Sequence, residues 1–175
     1  TTASAALTMT LDLEAHLVAR TPLHERKPDR SLEIGLIGDM QTYSWQLQRL
    51  LEPILVREGE RVEIIYSNRS RMAHPMHVHA HHFEVVAING KRLPGAIRDT
   101  IHLPPSTSVT IAFDADNPGK WPIDRHHAYH MAAGMLGYLH YEGVAYVIIF
   151  ATLIHRVAMD VPQKETTGRI GQKRA

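Results

Sequence analysis

The sequence predicts an all-β fold, two packed sheets or a closed barrel. Short runs of β-type residues recur at a spacing of about 8–12 residues. Turn-forming pairs such as Gly38-Asp39, Glu52-Pro53 and Asn89-Gly90 separate them. No long stretch carries the 3.6-residue apolar period of a helix.

The elements follow in chain order. Leu7 to Leu13 alternates apolar and polar and is expected to form a strand or extended arm. Residues 20–31 are charged, hold two prolines and are expected to act as a linker. Strands are then expected over Leu32–Ile37, Tyr43–Leu47, Ile54–Val56 and Arg61–Ser67. Met72–His79 and Phe83–Ile88 come next, the latter entering the Asn89-Gly90 turn, a hairpin signal. Thr100–Leu103, Ser108–Phe113, the segment at Trp121 and Tyr138–Tyr141 complete the set. Val144 to Ile154 is nearly all apolar, about half the ~20 residues that cross a bilayer, so no membrane span is expected. Beyond Pro162 the chain is polar and basic and reads as an irregular tail. The organisation expected is an arm and linker over 1–30, one domain over 31–143 and an extension over 144–175.

Composition narrows the function classes. With 175 residues and 44% hydrophobic content, the chain has enough apolar material for one core. The net charge of +1 argues against a nucleic-acid partner. Cysteine is absent, which excludes disulfides, thiolate metal ligands and thiol nucleophiles. The chain starts at Thr1 rather than Met, as a processed or excised segment would.

Histidine is abundant, 13 residues against 3 Phe and 2 Trp. Two clusters hold most of the chemistry. His74-Pro75-Met76-His77-Val78-His79 closes one strand, and His126, His127 and His130 follow Trp121, with Met135 beyond them. On a strand, residues two apart share a face, so His77 and His79 are expected to point the same way. Imidazole pairs suit Cu, Zn, Fe or Ni, and a trailing thioether shifts the preference toward copper. Surface histidines are the bland alternative; three within six residues weigh against it. Pro75 stiffens the chain between two candidate ligands. His77-Val78-His79 followed by Glu84 also fits a cupin-like His-x-His…Glu pattern, although the second cupin motif has no match.

His-Pro-Met-His-Val-His followed by Phe83-Glu84-Val85 resembles the first copper-ligand motif in the C-terminal cupredoxin domain of multicopper oxidases, laccase-like and copper-resistance types. The resemblance runs from about Pro28 to Gly143 and includes Arg98-Asp99-Thr100-Ile101, Leu103-Pro104-Pro105 and Asn117-Pro118-Gly119-Lys120-Trp121. The family's second motif, Trp-x-x-His-Cys-His-x-x-x-His-x-x-x-x-Met, aligns from Trp121 to Met135. The resemblance implies a cupredoxin-like Greek-key β-sandwich, a copper cofactor, and a periplasmic or secreted location. It also implies that His74, His130 and Met135 face a type 1 copper, and that His77, His79 and His126 face a trinuclear cluster. His81, His82, His102, His127 and His140 match no ligand position.

Two positions depart from the motif. Asp124 stands where a trinuclear His belongs, and Arg125 where the type 1 Cys belongs. A guanidinium is permanently cationic and has no lone pair for a metal. The family's trinuclear centre also needs His-x-His pairs from another domain, and this chain holds only His77-Val78-His79. The expectation is therefore a copper-binding domain of an oxidase of phenols or metal ions, catalytically incomplete alone. A non-catalytic copper-binding module, or a degenerate fragment, is the alternative. Partners would be other cupredoxin domains or subunits, and a homotrimer is one arrangement that supplies them.

Overall fold

The computed structural model describes residues 10–39, 41, 43–50, 52–125 and 133–144. All of them fall in one compact unit, which reaches Val144. Twelve strands appear among the described residues. They are β1 Arg30–Asp39, β2 Ser44–Gln48, β3 Ile54–Val56, β4 Arg61–Asn68, β5 His74–Val78 and β6 Phe83–Ile88. The others are β7 Lys91–Arg92, β8 Ile97–Arg98, β9 Thr100–Leu103, β10 Ser108–Asp114, β11 Lys120–Arg125 and β12 Leu136–Tyr141.

The first sheet runs β2-β1-β4-β10-β6-β7, with β8 also on β6; the second runs β3-β12-β11-β5-β9. The chain crosses between sheets at β2–β3, β3–β4, β4–β5, β5–β6, β8–β9, β9–β10 and β10–β11, as in a Greek-key sandwich. β1 with β4 and β3 with β12 pair in parallel, and the other pairs are antiparallel. The all-β, cupredoxin-like expectation holds.

Alternation explains the core. Val62, Ile64 and Tyr66 of β4, Val109, Ile111 and Phe113 of β10, and Phe83 and Val85 of β6 turn inward from the first sheet. Met76 and Val78 of β5, Ile101 and Leu103 of β9, Ile123 of β11, and Leu139 and Tyr141 of β12 answer from the second. Each fully buried aliphatic or aromatic side chain contributes about 1.5–3 kcal/mol by area.

The segment before β1 differs from its reading. Residues 11–16 form turns and one 3-10 turn, Glu14–His16, rather than a strand. Ala15 and His16 donate backbone N–H groups to the Leu11 and Leu13 carbonyls, so local bonds replace a ladder partner. The charged stretch after residue 20 lies against the outer face of the first sheet. There Leu23 N–H donates to Glu84, and Arg26 donates to Gly59 O and Asp114. β7 and β8 are absent from the sequence reading; two residues each are too few for a periodic signal.

Arg61 is the main fastener of that face. Though 5% exposed, it donates to Asp114 through Nε (2.7 Å) and Nη2 (3.1 Å) and to His24 O through Nη1 (3.0 Å). Its guanidinium is the largest cause holding the Asp114 carboxyl below the ordinary carboxylate range. A carboxyl lowered in the folded state lends stability that is full above its unfolded pKa and lost as pH falls through the folded one. Arg61→Ala is expected to cost about 1–3 kcal/mol. Below about pH 4 it should also lose stability less steeply than wild type; urea melts between pH 6 and 2.5 measure both effects.

Candidate metal centre

The geometry starts from the pairing of β11 with β5. Ile123 lies opposite Val78, Asp124 opposite His77, and Arg125 opposite Met76. Residues opposite each other in an antiparallel pair share a face, and successive residues alternate. One face therefore carries His77, Asp124 and, just past the strand, His79. The other carries His74, Met76 and Arg125. Among the described residues β5 pairs with β11 over Met76–Val78 and with β9 over His74–His77.

On the first face the rings of His77 and His79 lie 4.6 Å apart, nearly edge to face, as the His-x-His spacing predicts. His77 Nδ1 lies 2.8 Å from Asp99 O and 3.0 Å from Thr100 Oγ1. A carbonyl only accepts, so Nδ1 carries the proton and the lone pair falls on Nε2, the tautomer a metal-facing imidazole needs. The Asp99 peptide thus orients His77. His79 Nε2 donates to Asp124 Oδ2 at 3.1 Å. Asp124 is 6% exposed, and its Oδ1 has no hydrogen-bond partner among the described residues. Two imidazoles and a carboxylate with an unused oxygen are a donor set that suits a cation. No group of three or more His, Cys, Asp or Glu side chains converges as a metal cage among the described residues. His126 lies outside them, so its relation to this pair is not described.

The second face has a different chemistry. His74 is fully buried, and its Nε2 lies 2.6 Å from Ser70 Oγ. Ser70 directs its own proton to Asn68 Oδ1 at 2.8 Å, so the imidazole donates through Nε2 and keeps its lone pair on Nδ1. Asn68 is fixed in turn by the carbonyls of Met72, Leu103 and Pro104. His74 Nδ1 is buried without a partner among the described residues, as a ligand atom would be. Burial first, then Arg125 and His102, lowers the His74 pKa to about 4, so the ring is neutral near pH 7. Met135 is fully buried, and its carbonyl accepts the Arg125 N–H at 3.2 Å. Gly134 before it has φ +114, and a Cβ there would meet Trp45 O at 2.3 Å, so glycine permits this close approach. His130 lies outside the described residues.

Arg125 fills the position beside these groups. It is 6% exposed, donates through Nη2 to Ala73 O at 3.1 Å, and stands 6.0 Å from the Trp45 ring centre. Its Nε and Nη1 are buried without hydrogen-bond partners among the described residues. A guanidinium offers no lone pair and repels a cation, so the His74 side does not fit a copper ion although His74 and Met135 separately would.

Three histidines outside the motif positions are now placed. His81, 4% exposed, donates from Nδ1 to His79 O at 2.8 Å, and its Nε2 accepts the Tyr141 hydroxyl at 2.7 Å. Burial pushes its pKa below the usual histidine value. His102 is opposite Pro75, its pKa also lowered, by burial and then by Arg125. His140, on β12, is half-buried. His127 lies outside the described residues. The roles of Asn68, Ser70 and His81 were not read from sequence; the only signal was a polar Asn68-Arg69-Ser70 step ahead of His74, and His81 continuing the period-2 run from His77. Glu84, the carboxylate of the cupin-like pattern, stands on β6 in the other sheet and accepts Leu23 N–H at 2.8 Å. It does not join His77 and His79, so that alternative is set aside.

Comparison with known proteins agrees with this architecture. A family model described as "Multicopper oxidase" matches residues 25–142. The multicopper oxidase MmcO of Mycobacterium tuberculosis is 34% identical over 119 residues, covering 66% of this chain and 23% of that protein. Copper resistance protein A of Escherichia coli is 32% identical over 114 residues, 63% of this chain and 18% of that one. The chain thus spans about a fifth of the length of these relatives. Among solved structures, the blue copper oxidase of Nitrosomonas europaea superposes with TM-score 0.61 at 18% identity, over 69% of this chain and 46% of that one. The multicopper oxidase mgLAC superposes with TM-score 0.60 at 20% identity, over 69% and 46%. At that identity the likeness speaks for the fold alone. Family membership implies copper as the cofactor, and the chain belongs to the multicopper oxidase family, as one of its cupredoxin domains.

Proposed function

We propose that this chain is the copper-binding cupredoxin domain of a multicopper-oxidase-like protein, catalytically incomplete by itself. In this reading residues 31–143 are the metal-bearing domain, flanked by the arm over 1–30 and the extension over 144–175. His77 and His79, with His126, serve the trinuclear-type centre, and His74, His130 and Met135 are the remnant of the type 1 set. Other cupredoxin domains or copies of the chain supply the remaining ligands, and the compartment is periplasmic or secreted. The related proteins named for copper resistance and iron transport make oxidation of a metal ion the favoured activity of the whole protein, with phenols second.

One observation carries the claim of incompleteness. The Arg125 guanidinium is buried on the face that carries His74, bonded to Ala73 O and near the Trp45 ring, at the motif position of the type 1 Cys. Copper in this family supplies one-electron chemistry between a donor and dioxygen. This chain's own groups do less: Asp99 O holds the His77 tautomer, Asp124 holds His79, and Arg125 keeps positive charge on the opposite face. An entry point for electrons therefore has to come from elsewhere.

Copper stoichiometry with visible and EPR spectra tests the proposal. The expected result is about one ion or fewer per chain, without a blue thiolate band and without oxygen uptake. Several ions per chain with a coupled signature and oxygen consumption would contradict it. Arg125→Cys is expected to bring in the blue band with or without Asp124→His, and neither variant alone should take up oxygen, because the remaining ligands come from elsewhere. The Nε and Nη1 groups of Arg125, buried without hydrogen-bond partners among the described residues, make a second prediction. Arg125→Met, which keeps length and removes charge, should raise the unfolding free energy by about 1–3 kcal/mol. A drop in the urea midpoint would show that Arg125 is well paired.

A further inference from the structure

The turn that carries His79 is anchored from inside the sandwich. His79 is followed by Ala80 at φ +58, in the left-handed region that a residue with a Cβ adopts only when its surroundings hold it there. Three bonds do so. His79 N–H donates to Pro122 O at 3.0 Å, His81 Nδ1–H to His79 O at 2.8 Å, and Asn117 Nδ2–H to Ala80 O at 3.1 Å.

The anchor is itself specified. Because His79 O is an acceptor only, His81 must be protonated on Nδ1, which leaves a lone pair on Nε2 for the Tyr141 O–H at 2.7 Å. The Tyr141 oxygen accepts the Asn117 N–H at 3.3 Å, and Asn117 O accepts Trp121 Nε1–H at 2.8 Å. The His81 ring is packed between Phe113, at 5.1 Å between centroids, and Tyr141, stacked at 5.8 Å. An apolar ring would fill this space as well, yet it would take the donor from the His79 carbonyl and the acceptor from the Tyr141 O–H. The tautomer, the carbonyl and the hydroxyl agree only for an imidazole oriented in this one way.

We propose that His81 is a positioning residue for the metal-facing His79, holding its carbonyl so that the imidazole is aimed beside His77, with Tyr141 and Asn117 fixing His81 in turn. This rests on the reading of His77 and His79 as metal-facing. It adds a buried relay from β12 and the loop before β11 to the site. The same relay makes the site sensitive to residues that touch no ligand.

The test uses the full chain with Cu(II) alone as probe, chelator competition for affinity, and EPR for the ligand field. An asparagine side chain places its N–H near the imidazole Nδ1, and a glutamine reaches only the Nε2 position. His81→Asn is therefore expected to keep affinity and spectrum close to wild type. His81→Gln should weaken binding by about 10–100-fold with changed hyperfine splitting, and Tyr141→Phe should fall between. A core-filling role predicts no such order, since glutamine is nearer to histidine in volume. Equal affinities and spectra for Asn and Gln variants that melt cooperatively would overturn the proposal. Absence of Cu(II) binding in wild type would instead remove the metal reading. In that case the orientation of His79 is read without metal, from its ring nitrogens in long-range proton–nitrogen NMR. A His79 signal moved by His81→Gln but not by His81→Asn supports positioning, and a signal unmoved by either refutes it.

Discussion

The antiparallel pairing of β5 with β11 is the constraint on which the rest depends. It sets Asp124 against His77 and Arg125 against Met76. A ladder with period two then has no freedom: the two faces of this ribbon must carry different chemistry. Slipping the register by one residue would put the guanidinium among the trinuclear-type ligands and Asp124 in the core. Both sheets enforce the register, because Ile123, Val78 and Met76 are fully buried in the shared core.

The two departures from the family motif therefore have opposite consequences. Asp124 puts a carboxylate in place of an imidazole on the face of His77 and His79, and its Oδ1 has no hydrogen-bond partner among the described residues. Arg125 replaces a ligand by a repelling charge, on the face where His74 still holds its lone pair in position. Ser70 and Asn68 continue to orient His74 as though a partner were expected. The support around His74 is intact while the central ligand is gone. Under the proposed reading, that combination separates metal binding, assigned to the first face, from electron entry, which the second face would no longer serve.

Much of this was legible in the chain. Period-2 alternation and turn pairs located nine of the strands within a residue or two, and β11 only by Trp121, because each buries one face against a common core. The shared face of His77 and His79 follows from spacing alone. Other features were not legible for physical reasons. Leu7 to Leu13 alternates like a strand, but its described part, from residue 10, makes no ladder among the described residues, and local bonds to Leu11 O and Leu13 O take over. The charged linker looked solvated; in three dimensions Arg61, Glu84 and Asp114 give its backbone and side chains partners from strands far away in sequence. His81 matched no ligand position, and its partner could not be named from sequence, since it is Tyr141, sixty residues on. The seating of Arg125 against Ala73 O and Trp45 likewise needs the tertiary fold.

The claim that metal binding persists on one face of the β5–β11 ribbon and is blocked on the other is most directly tested by anomalous diffraction at the copper edge, from crystals of the copper-loaded full chain. The account predicts an anomalous peak beside His77 and His79, and none between His74 and Met135. A copper peak between His74 and Met135, with the Arg125 side chain swung away, would contradict it.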